Sequence, residues 1–127
     1  MMEAEVFVPC WPPYVNARGT THQARLNLFC KSLRQEAKKE RVRGSLRQKG
    51  WTQKCPVHVI AILHADDRFQ PLDNLQKYAK AVRKAMVDAY LVDEEAQIQS
   101  VMIDTSDADA TKARGCTVRM LFDDGNE

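Results

Sequence analysis

Pro56-Val57-His58-Val59-Ile60-Ala61-Ile62-Leu63-His64 is the stretch on which the fold turns. Val57, Val59, Ile60, Ile62 and Leu63 make it β-branched and apolar almost throughout, and such a run predicts a strand, central in its sheet. Downstream, Leu72, Leu75, Ala79, Val82, Met86 and Ala89 recur at helical spacing and predict an amphipathic helix with a full apolar stripe. A loop over Tyr90–Glu95 then leads to a strand at Ile98–Asp104. The polar, acidic segment Thr105–Gly115 reads as a turn, Cys116–Phe122 as a fourth strand and Asp123–Glu127 as a frayed tail.

Upstream, Glu3–Val8 alternates charged and apolar residues at period two and predicts an edge strand. Cys10-Trp11-Pro12-Pro13 ends it, because proline neither continues a helix nor donates to a ladder. After a polar loop through Asn16, Arg18 and Gly19, a threonine at 20 or 21 is placed to cap a helix over Gln23–Val42. Leu26, Phe29, Cys30, Leu33 and Ala37 give that helix an apolar face, while Arg25, Lys31, Gln35, Lys38 and Lys39 occupy the other. Gly44-Ser45 breaks the pattern, and Leu46–Lys54 reads as a basic, mobile loop. The order strand, helix, strand, helix, strand, strand predicts an α+β fold, a small mixed four-stranded sheet with two helices packed on it, in one domain over 1–127.

A chain of 127 residues can bury a core without disulfides or metal staples. Cys10, Cys30, Cys55 and Cys116 are too widely spaced for a zinc motif and read as reduced thiols of a cytoplasmic protein. Nothing reads as a signal peptide, and no stretch approaches the roughly 20 apolar residues of a membrane helix. The net charge of +2 conceals an asymmetry. Residues 1–55 carry eleven Lys/Arg against four Glu, and residues 56–127 carry eight against thirteen Asp/Glu. The basic half suits phosphate contacts and the acidic half suits metal ligation, though a solvated basic helix beside an acidic surface accounts for the same numbers.

Asp73 stands at the start of the second predicted helix, where a carboxylate favours the positive end of the dipole. Asp73, Lys77, Lys80 and Lys84 fall at spacings of four, three and four, so Asp73 and Lys77 are neighbours one turn apart. With Asp93-Glu94-Glu95 further on, the chain has the parts for phosphodiester hydrolysis: carboxylates for Mg²⁺, a lysine to offset charge at the phosphate, and Asn74 to position a phosphate or water. Each part also has a plainer reading, as a helix cap, a solvated acidic loop and a weak surface pair. His22, His58 and His64 lack metal-ligand spacing, and the two strand histidines read as structural. Trp11, Tyr14, Trp51 and Phe69 suit base stacking or the core.

Leu72-Asp73-Asn74-Leu75-Gln76-Lys77, followed by Glu94-Glu95-Ala96-Gln97-Ile98, resembles the signature of the RusA family of Holliday junction resolvases, small homodimeric endonucleases. The family pattern is Asp-x-Asp-Asn, a lysine three residues on, then an acidic pair, a small residue, Gln and an aliphatic. Val8-Pro9-Cys10-Trp11-Pro12-Pro13 resembles the family's opening Pro-Pro segment, with Asn16, Arg18-Gly19 and Thr21-His22 about where its polar loop falls. The resemblance implies a RusA-like fold and Mg²⁺-dependent (or Mn²⁺-dependent) resolution of four-way DNA junctions by paired nicks from a homodimer. It implies Asp73, Glu94 and Glu95 as metal ligands, Asp73, Lys77 and Glu95 as catalytic residues, and Arg18, Arg68, Asn74, Lys77 and Lys80 as DNA contacts.

Three departures stand beside it. Pro71 occupies the place of the first aspartate, both acidic residues are glutamates, and the stretch from Asp73 to Glu95 is about one helical turn longer than the pattern. Asp66, Asp67 or Asp93 then becomes a substitute ligand, or the chain binds junctions without efficient cutting. A protein-interaction module with no nucleic-acid role is the reading from another class.

Overall fold

A computed structural model describes residues 2–13, 20–64, 78–104 and 115–123, with the side chains of residues 20–22 excepted. Strand β1 (Met2–Val8) is followed by helices α1 (Thr20–Lys39) and α2 (Val42–Gln48), strand β2 (Val57–His64), helix α3 (Ala79–Asp88), a 3₁₀ turn (Glu95–Gln97), and strands β3 (Ile98–Asp104) and β4 (Gly115–Phe122). The strands form one mixed sheet in the order β1-β4-β2-β3. β4 runs antiparallel to both β1 and β2, and β2 runs parallel to β3. The α+β class and mixed sheet expected from the sequence are therefore present, with β1 at an edge and β2 inside.

The register sorts the side chains by face. Val6, Val118, Ala61 and Ile103 lie in one row across the sheet, and Met2, Phe122, Val57 and Ile98 in another; all eight are buried. Phe29, Leu33 and Ala37 of α1 and Val82, Ala85 and Met86 of α3 join the same core cluster. The opposite face carries Glu5, Arg119, Ile60 and Met102 in a row, with the Arg119 Nε–Glu5 Oε2 pair at 3.1 Å. Period-two alternation thus turns one face of the sheet toward the helices. His64, read as structural, is buried, with Nε2 2.7 Å from Thr117 Oγ1, and its carbonyl accepts from Trp11 Nε1 at 2.8 Å.

The expected pair of helices is corrected: the described residues hold three α-helices. The expectation that Gly44-Ser45 ends the first helix and that Leu46–Lys54 is a mobile loop fails, because Val42–Gln48 is helical. Val42 and Leu46, one turn apart, are both buried and anchor α2 to the core. The actual break comes earlier: α1 stops at Lys39, and Arg41 takes the left-handed conformation at φ 54°. Gly44 sits inside α2 with open space around its α-carbon, so it costs propensity without breaking the turn.

The ends of α2 and α3 are built alike. Trp51 N donates to Leu46 O at 2.9 Å and Gly50 N to Arg47 O at 3.0 Å, with Gly50 at φ 96°. Leu91 N donates to Met86 O at 3.1 Å and Tyr90 N to Val87 O at 3.0 Å, with Tyr90 at φ 59°. Both have the hydrogen-bond pattern of a Schellman cap, and the two residues that each motif brings together, Leu46 and Trp51 or Met86 and Leu91, are buried in the core. Left-handed φ disfavours any residue with a Cβ, so Arg41 and Tyr90 occupy positions that suit glycine better. Arg41→Gly is therefore expected to raise stability by about 0.5–1 kcal/mol, the left-handed strain relieved less the entropy of a new glycine in the unfolded chain, read as a higher urea midpoint at constant slope. A lower midpoint would show that the Arg41 side chain holds the α1–α2 corner together.

Among the described residues no helix is long and apolar enough to cross a membrane. All four cysteines are free. Burial raises the Cys116 thiol far above its ordinary range and raises Cys30 and Cys10 less.

Candidate active site

The acidic run lies in the loop between α3 and β3, and the surrounding sequence holds it in place. Gln97 Oε1 accepts from the backbone N–H groups of both Asp93, at 2.7 Å, and Glu94, at 2.9 Å. Its Nε2 donates to Gln53 O at 2.5 Å. Gln53 adds two further ties: its carbonyl accepts from Asp93 N at 3.2 Å, and its Nε2 donates to Tyr90 O at 3.0 Å. The glutamine of the Glu94-Glu95-Ala96-Gln97-Ile98 stretch is thus a clamp, satisfying two loop donors and pinning the loop to the segment that follows α2. Ile98, 4% exposed, seats the start of β3 in the core, and Arg83 Nη1 donates to its carbonyl at 3.0 Å.

With the loop pinned, Glu94 and Glu95 line a cleft of about 840 Å³. Its other wall is the face of α3 that carries Lys80, Lys84 and Asp88, closed by Gln23 and Leu26 of α1 and by Pro13. Lys80 and Lys84 share a wall because they are four residues apart on one helix, whose opposite stripe (Val82, Ala85, Met86) is in the core. A cleft lined by the carboxylates of Asp88, Glu94 and Glu95 and by two ammonium groups has the side-chain types to hold a divalent cation and offset charge on a phosphate ester.

Of the residues expected at the site, Glu94, Glu95 and Lys80 come together in this cleft. Asp73, Asn74, Lys77, Arg68 and Arg18 lie outside the described residues, as do Pro71, Asp66 and Asp67. Among the described residues no three of His, Cys, Asp and Glu gather as a metal-binding group. The described oxygen donors of the cleft are Asp88, Glu94 and Glu95, and such ligands suit Mg²⁺, which is commonly bound through one or two carboxylates with water and substrate phosphate completing its shell. Lys84 and Gln53 were not singled out for the site from sequence. The helical spacing of Lys84 from Lys80 signals its place, whereas Gln53 acts largely through its backbone carbonyl and carries no sequence signal.

Gln97→Ala removes three hydrogen bonds, leaving Glu94 N–H without its acceptor and Asp93 N–H with the Gln53 carbonyl alone. It is expected to cost about 2–3 kcal/mol of stability and to speed amide hydrogen exchange at Asp93 and Glu94. Unchanged exchange at those two amides would show that the loop keeps its shape without the clamp.

No known family model matches the chain, and no curated protein sequence matches it.

Proposed function

We propose that the chain is a Mg²⁺-dependent, structure-selective DNA endonuclease of the RusA type, nicking four-way junctions in pairs as a homodimer. The observation that carries the reading is the cleft lined by Glu94 and Glu95 together with Lys80 and Lys84. In this reading Asp73, Glu94 and Glu95 hold the ion, which when bound activates water and offsets phosphate charge. Lys77 and Lys80 place positive charge beside the phosphate, Asn74 orients it, and Arg18 and Arg68 contact the flanking backbone. Two-fold symmetry in the dimer matches the approximate two-fold symmetry of a junction, giving one cleft per strand to be cut.

Incubating the purified chain with a synthetic four-way junction and Mg²⁺ or Mn²⁺, beside linear duplex of the same sequence, tests the reading. Paired nicks confined to the junction are expected. A second reading, a junction binder with little or no cutting, is favoured by Pro71, which has no ligand atom where the family pattern has an aspartate. Salt-sensitive junction binding with no nicks under either metal decides for it. No junction affinity at low salt decides against both.

A further inference from the structure

Helix α2 creates a second basic feature, on the far side of Tyr90 from the acidic pair. Lys38 and Ala37 at the end of α1, Arg41 at the corner, and Arg43, Gly44 and Arg47 on α2 line a concavity of about 410 Å³. All four of its charged lining residues are cations. Among the described residues neither they nor Arg34 make an ion pair with a carboxylate. Glu36, the acid nearest in sequence, is occupied by Lys39 at 3.2 Å, and residues 31–54 carry nine Lys/Arg against Glu36 and Glu40.

Tyr90 joins this concavity to the acidic cleft, whose wall it also lines. Tyr90 is 49% exposed. The Arg34 guanidinium lies 4.9 Å from the ring centroid and donates to the hydroxyl at 2.9 Å, while the Arg43 guanidinium lies 5.9 Å from the same centroid. Like charges this close repel, and a bound anion relieves that repulsion. Guanidinium forks are the side chains best matched to phosphate oxygens, and several of them along one concavity match the closely spaced phosphates of a nucleic-acid backbone. Arg41 and Tyr90 are also the two described residues other than glycine held at positive φ, so the backbone bears a cost to present these two side chains here.

We propose that the α1–α2 concavity, continued through Arg34 and Tyr90 to the acidic cleft, is a binding track for the phosphate backbone of duplex DNA. The choice of DNA rests on the endonuclease reading, whereas the anion track rests on the basic cluster alone. A duplex arm leaving the cleft runs past Tyr90 and lays its phosphates against Arg43, Arg41, Arg47 and Lys38.

Binding is measured by fluorescence anisotropy in EDTA, across a salt series, with a labelled DNA duplex and with polyglutamate. The variants are the triple Arg41→Gly/Arg43→Gln/Arg47→Gln and the milder pair Lys38→Gln/Arg41→Gly, which changes only exposed residues. The triple is expected to bind duplex about tenfold more weakly and to flatten the slope of log affinity against log salt by about 2–3, each phosphate contact contributing about 0.9. The pair is expected to flatten it by about 1–2. Equal slopes in wild type and the pair overturn the track, as does polyglutamate binding as tight as duplex binding. Because no metal is present, the outcome is independent of cutting. Loss of duplex binding in the variants, with no junction nicking by wild type, keeps the track and removes the endonuclease reading. Nicking that survives with unchanged slopes does the reverse.

Discussion

Glu95→Gln is expected to lower Mg²⁺-dependent nicking of a four-way junction by roughly 10²-fold or more, the scale seen when one electrostatic group is removed from a hydrolytic site. Glutamine keeps the length and shape of the side chain and loses its charge. Glu95 is exposed and lies in the 3₁₀ turn Glu95–Gln97, none of whose residues is buried, so stability should change by under about 0.5 kcal/mol. A drop in cutting with an unchanged unfolding midpoint therefore reports on the chemistry. Asp73→Asn, on the other half of the proposed ligand set, is expected to fall as far, and the double variant little further, because groups that act as one unit are not additive. Equal nicking by wild type and Glu95→Gln would remove this carboxylate from the site.

Phe122→Ala is expected to cost about 3–5 kcal/mol, the usual range for deleting a fully buried aromatic ring. Phe122 is 0% exposed at the end of β4, between Met2 of β1 and Val57 of β2. Its ring meets Trp51 edge to face, with centroids 6.0 Å apart and planes at 71°. Trp51 closes the α2 cap through its backbone N–H, so the cavity would undermine that helix as well as the sheet. Trp51 is 3% exposed, its Nε1–H has no partner among the described residues, and the Arg47 guanidinium lies 5.9 Å from its ring centroid. Urea unfolding followed by tryptophan fluorescence measures the loss. A loss under about 1 kcal/mol would mean that the core closes over the missing ring.

Much of this architecture was legible because the patterns were strong. The run from Pro56 to His64 has too few polar residues to be anything but an interior strand, and β2 is flanked on both sides. Phe29, Cys30, Leu33 and Ala37 are buried as their spacing requires. Helix α2 was not legible because its surface residues outnumber its core residues: Val42 and Leu46 are buried among arginines, glycine and serine. Its signal lay in Gly50-Trp51, a left-handed glycine followed by a buried aromatic, read there as part of a loop. At the site, the acidic pair and its trailing glutamine were visible as a motif, and the structure supplies the physical reason for the glutamine. Gln53 was invisible, because a carbonyl bonded to Gln97, 44 positions on, leaves no trace in the pattern of side chains.

The strand order has a consequence for how the chain folds in time. β4 is the last of the four strands in sequence, yet it stands between β1 and β2 and joins them. During synthesis, β1 and β2 are made long before the strand that bridges them, so each presents an open edge for most of translation. The sheet closes only when residues 115–122 emerge, through contacts that span nearly the whole sequence, such as Met2 with Phe122. Folding should be slow for the chain's size and late on the ribosome, and shortened nascent chains that end before β4 are the species most exposed to aggregation.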